Sequence, residues 1–128
     1  MTPQLAARVF DALIGVVAAF QLALALGAPW GQFAMGGAFP GAYPPALRLA
    51  AVAQVVVLAL LAMVISSRAG LALPALRGAS RPLSWGIVAL LGLSLLLNLI
   101  TPSGLERLMW APVALSLFLT ALRVAASR

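Results

Sequence analysis

Four apolar runs, Val9 to Ala28, Leu47 to Ser66, Leu83 to Ile100 and Leu108 to Ala126, take up most of the chain and decide what it can become. A helix of ~20 such residues crosses the ~30 Å hydrocarbon layer of a bilayer. In hydrocarbon every backbone N–H and C=O must find an internal partner, so a spanning segment of this kind folds as a helix. The sequence therefore predicts an all-α membrane protein of one domain. Its four transmembrane helices, at about 9–28, 47–66, 83–100 and 104–126, form an antiparallel bundle.

Composition agrees with that solvent. The 128 residues are 64% hydrophobic and 8% charged, against about half and a quarter in soluble domains. All eight basic residues are arginines and only Asp11 and Glu106 oppose them, leaving a net charge of +6. A nucleic-acid site would gather such charge on one face. Here the arginines stand singly between apolar runs, so no nucleic-acid partner is expected and the lipid bilayer is the first one.

Arginine placement also predicts orientation. Arg8, Arg68, Arg77, Arg81, Arg123 and Arg128 fall on one side of the spans, and Arg48 and Arg107 on the other. By the positive-inside rule both termini and the 66–82 loop are cytoplasmic. The first run begins after Arg8 and contains Ala23-Leu24-Ala25, which imitates a signal-peptidase site. Its apolar length exceeds the ~7–15 residues of a signal core, so it reads as a retained helix.

Cysteine, histidine and lysine are absent. Thiolate chemistry, structural zinc and Fe–S clusters need cysteine, haem in a helical bundle generally needs histidine, and Schiff-base chemistry needs lysine. We expect no cofactor, no metal and no enzyme activity.

Helix one carries Gly15, Ala19, Ala23 and Gly27 at four-residue spacing, a stripe that would let a neighbouring backbone approach closely. This predicts the central packing face. The connection after it is chargeless and interleaves Trp30, Phe33, Phe39 and Tyr43 with glycine and proline. Aromatics of that kind favour the headgroup level, and the expectation is an ordered external cap, with Gly36-Gly37 able to close a short hairpin over 32–39.

The segment from Asn98 to Pro112 joins the last two runs. Pro102 stops helix three near Ile100 or Thr101. Ser103 and Glu106 then match the capping box, in which each side chain takes a backbone N–H at the start of the next helix. Trp110 fits an interfacial anchor. Pro112 either kinks helix four or starts its true span after a short interfacial helix. Glu106 has a second reading, as part of an external ion-pair network with Arg107 or Arg48.

Within the spans the strongest hydrogen-bonding side chains are Gln21, Gln54 and Asn98, and all three fall in the outer half when counted at ~1.5 Å per residue. One reading has them bonding across helices as packing groups. The other is an outward-opening polar pocket lined by Gln21, Gln54, Asn98, Arg48, Glu106 and Arg107. Asp11 lies near the cytoplasmic end, in i,i+3 register with Arg8. A proton-coupling role is its alternative.

Gly27-Ala28-Pro29-Trp30-Gly31, Gly36-Gly37, Pro40-Gly41, Arg48 and Asn98 with Thr101-Pro102-Ser103, Glu106-Arg107, Trp110 and Pro112 together resemble a group of small four-span bacterial membrane proteins without established activity. The resemblance implies four spans, a bacterial cytoplasmic (inner) membrane and an external position for these residues; it implies no substrate. In length the chain is also similar to small multidrug-resistance transporters, but those rely on an acid deep in the first helix, where this chain is apolar. The expected function is non-catalytic binding of a partner subunit, of a second copy, or of a lipid-like hydrophobic ligand at the outer half of the bilayer. A small transporter or channel using the polar pocket is the alternative.

Overall fold

The computed structural model describes residues 1–34 and 37–127. Four helices account for most of them: α1 Pro3–Ala25, α2 Pro45–Arg68, α3 Arg77–Ile100 and α4 Gly104–Ala125. At 23, 24, 24 and 22 residues, each is ~33–36 Å long, and each is long and apolar enough to cross a membrane. No strand occurs among the described residues.

Local chemistry sets the helix ends more sharply than the apolar runs do. The Thr2 side chain accepts from Leu5 N–H at 3.1 Å and Pro3 occupies the first turn, so α1 begins six residues before the apolar run. Its other end closes with paired bonds from Gly27 N–H to Leu24 O and Ala28 N–H to Ala23 O, which require the left-handed φ of +101° at Gly27. Gly27 is therefore the residue that stops α1, not the last member of a packing stripe. Gly70, at φ +77°, ends α2 in the same way.

Helix α3 starts at Arg77 and carries Pro82 inside it. A proline this close to the first turn costs one backbone bond, to the glycine at 78, and leaves the rest of the ladder intact. The arginine- and proline-rich segment that reads as loop is thus partly helix. Pro112 also lies inside a continuous α4. The separate interfacial helix before it does not form.

Helix α1 packs on α2 and α4, α4 packs on α3, and α2 touches α3 less closely. The main core gathers Phe10 and Ile14 of α1, Leu58 and Ile65 of α2, Ile87, Val88 and Leu91 of α3, and Leu117, Ala121 and Val124 of α4. A second, smaller cluster joins Leu24, Tyr43 and Ala51. The Gly15, Ala19, Ala23 stripe is not the inner face of α1. Gly15 and Ala19 are exposed and an added Cβ on Gly15 would meet nothing within 4 Å. Ala7, Phe10 and Ile14 face inward instead, and Phe10 and Ile14 supply the bulk that fills the space between the helices.

Polar ties close the end where α1 begins and α2 and α4 finish, here termed the arginine-rich end. Gln4 Nε2 donates to Ala69 O, Ser66 Oγ to Asp11 Oδ2 at 2.7 Å, Arg68 to Ser127 O, and Arg123 Nε to Met1 O. Asp11 therefore pairs across helices with Ser66 rather than along α1 with Arg8. Its other oxygen, like Arg68 Nε, is buried without a hydrogen bond.

Candidate functional site

The opposite, capped end is built on the connection between α1 and α2. Gly31–Phe33 winds as a 3-10 turn. Gly31 N–H bonds Gly41 O at 2.9 Å, and a Cβ at Gly31 would fall 1.9 Å from Phe39 O, so the loop folds back on itself only because this residue is glycine. Of the Gly36-Gly37 turn expected to close a hairpin over 32–39, Gly36, with Met35 before it, lies outside the described residues; Gly37 has the positive φ, at +77°, and residues 31–33 wind as this 3-10 turn.

The cap is fastened to the start of α4. Trp110 Nε1 donates to Phe33 O at 2.8 Å and Ser103 Oγ to Gln32 O at 3.2 Å. Phe20 of α1 stands edge-on to Trp110 with centroids 4.7 Å apart and lies parallel to Trp30 at 6.3 Å. Trp30 and Phe39 are otherwise exposed, whereas Tyr43 is buried.

Ser103 caps α4 as its sequence predicts, accepting from Glu106 N–H at 3.2 Å. Thr101 stands between the two ends of the box: its hydroxyl donates to Glu106 Oε2 and accepts from Ser103 N–H. The two arginines of this end are engaged with backbone. Arg48 Nε donates to Tyr43 O at 2.8 Å with its guanidinium over Gly27, at the C-terminus of α1, where a positive charge is favoured. Arg107 donates to Thr101 O at 2.7 Å.

Beneath the cap lies a cavity of about 520 Å³, within the ~300–1,000 Å³ range of small-molecule sites. It sits between the two hydrophobic clusters. Gln21, Gln54, Asn98 and Glu106 all line it, together with Phe33, Tyr43 and Trp110 of the cap, while Arg48 and Arg107 do not. Leu58, Leu61, Leu91 and Leu117 form its floor. Its exposed lining residues, Ala50, Gln54, Val57 and Leu90, belong to α2 and α3 alone. The cavity thus opens sideways through the looser α2–α3 seam.

The amides do not pack helices together. Asn98 Nδ2 bonds Ser94 O on its own helix at 2.8 Å, and neither Gln21 nor Gln54 makes a hydrogen bond among the described residues. Burial pushes the Tyr43 phenol above its usual range, and the charge of Glu106 pushes it further. Ser94 and Phe20 line the cavity although the sequence did not single them out. Ser94 lies one turn before Asn98 and Phe20 directly before Gln21, so helical register could have found the first and adjacency suggested the second.

Among the described residues no cluster of three or more His, Cys, Asp or Glu side chains could hold a metal ion. No protein-family model, curated protein or solved structure matches the chain.

Proposed function

We propose that the protein is a non-catalytic, multi-pass protein of a bacterial cytoplasmic membrane that holds a lipid-like hydrophobic molecule in this cavity. In this reading both termini are cytoplasmic and the capped end faces outward, so the cavity lies in the outer half of the bilayer. Arginine bias supports that orientation. The reading is carried by one observation: the exposed part of the cavity lining lies on α2 and α3, facing where acyl chains would be.

A cavity favours a ligand over a partner subunit or a second copy, which would seat on a surface. The packed core and polar ties below it favour binding over a through-pathway. The missing histidine, cysteine and lysine leave few groups able to activate a nucleophile. Native mass spectrometry of protein extracted in its own lipid tests the proposal. The expected result is a retained lipid-like adduct that Ala114→Leu, at the cavity wall, releases. Protein free of any adduct, wild type and variant alike, would overturn it.

A further inference from the structure

Three helices each bring one carboxamide to the cavity: Gln21 from α1, Gln54 from α2 and Asn98 from α3. A carboxamide offers two donors and one acceptor. Of these nine functions only one N–H of Asn98 is used among the described residues. In hydrocarbon, where no water compensates, unused amides are costly. An occupant that both accepts and donates would remove that cost.

The charged groups near the cavity have other duties. Arg48 and Arg107 are held by backbone carbonyls and stay outside the lining. Glu106 sits in the first turn of α4, where a negative charge complements the helix N-terminus, and accepts from Thr101. Depth points the same way. Gln54, the deepest of the three amides, is nine residues into α2, ~14 Å from its start and close to half the ~30 Å of hydrocarbon, while Gln21 and Asn98 lie four and two residues from the ends of α1 and α3. A charged head drawn to that depth would lose its water, and the one charged side chain of the lining, Glu106, is already engaged at the start of α4. A neutral head exchanges its water for amides.

We infer that the site takes an amphiphile with a small neutral head bearing a carbonyl and a hydroxyl or N–H, its aliphatic body lying on Leu58, Leu61, Leu91 and Leu117. This rests on the reading of the cavity as a lipid site. The head meets Gln21, Gln54 and Asn98, and entry is lateral, past Gln54 in the α2–α3 seam.

The test compares three chain-matched probes, a monoacylglycerol, a fatty acid and an alkyltrimethylammonium, titrated into the delipidated protein in detergent with binding read by native mass spectrometry. The monoacylglycerol is expected to bind about tenfold more tightly than either charged probe, as one or two extra hydrogen bonds would give. Gln54→Leu, on an exposed position that tolerates apolar bulk, should remove that margin by weakening the monoacylglycerol most; Gln21→Leu is the second variant. A charged probe binding as tightly as the neutral one, or a margin that survives both variants, overturns the neutral head but not the lipid site. Binding of none of the three overturns the lipid site, and the inference with it.

Discussion

At the arginine-rich end, polar side chains join one helix to another: Gln4 to the end of α2, Asp11 to Ser66, Arg68 to the end of α4, Arg123 to the start of α1. At the capped end Gln21, Gln54 and Asn98 line a cavity of about 520 Å³, yet among the described residues none of their side chains bonds a second helix. The ties of this end sit above the cavity, between the cap and α4. A polar group in hydrocarbon is tolerated for what it bonds. Where the partner is another helix the bundle closes, and where no partner is present the structure has room for a ligand.

The largest contrast is in how each half tolerates lost bulk. Phe10 is fully buried in the core of the arginine-rich half, and Phe10→Ala should lower unfolding stability in detergent by ~3–5 kcal/mol. Val57 lines the cavity on an exposed face, and Val57→Ala should cost under ~1 kcal/mol. Equal losses would mean that the two halves are packed alike. Added bulk should separate them in the reverse sense. Ala121→Leu forces a larger side chain into filled space, at ~1–3 kcal/mol. Ala114→Leu grows into the cavity and should be neutral or stabilising by up to ~1 kcal/mol. Thermal unfolding of the pair checks this, and a destabilised Ala114→Leu would show the cavity to be smaller in solution.

The four spans were legible because hydrocarbon leaves a chain no other choice. Their ends were not, because a window of apolar residues cannot weigh a Thr2-Pro3 cap or a tolerated Pro82. Counting depth along the helices put Gln21, Gln54 and Asn98 in the same half of the bilayer, and all three reach the same cavity. The distribution of arginines between the spans put Arg48 and Arg107 on that side too. Long side chains bend to the nearest free carbonyl, however, and these found Tyr43 O and Thr101 O. Four-residue spacing showed where Gly15 and Ala19 could admit a neighbour, but not that Phe10 and Ile14 would fill the bundle from another face. The α2–α3 seam is a property of the assembled helices, invisible in any one run.

A smaller effect separates the cap from the rest. Trp110→Phe keeps a ring against Phe20 but removes the bond from Nε1 to Phe33 O, worth ~0.5–1.5 kcal/mol. Amide hydrogen exchange should quicken over residues 31–34 and stay unchanged at Ala69 and Ser127, where the other end is tied. Uniform quickening would show that the two ends open as one unit.

The smallest effect is electrostatic and reports on Glu106, the acid of the capped end. Tyr43 is the one tyrosine of the chain, so phenolate absorbance reports it alone. Burial first, and the charge of Glu106 second, raise its pKa above 10. Above pH 10 the unfolded phenol ionises first while the folded one keeps its proton, so the folded state binds more protons and its stability falls as pH rises. Glu106→Gln removes only the lesser cause. The midpoint should therefore move down but remain above 10. A midpoint that Glu106→Gln leaves in place would separate the carboxylate from the phenol and detach Glu106 from the cavity wall; a midpoint already at 10 in the wild type would show that Tyr43 is not buried under the cap.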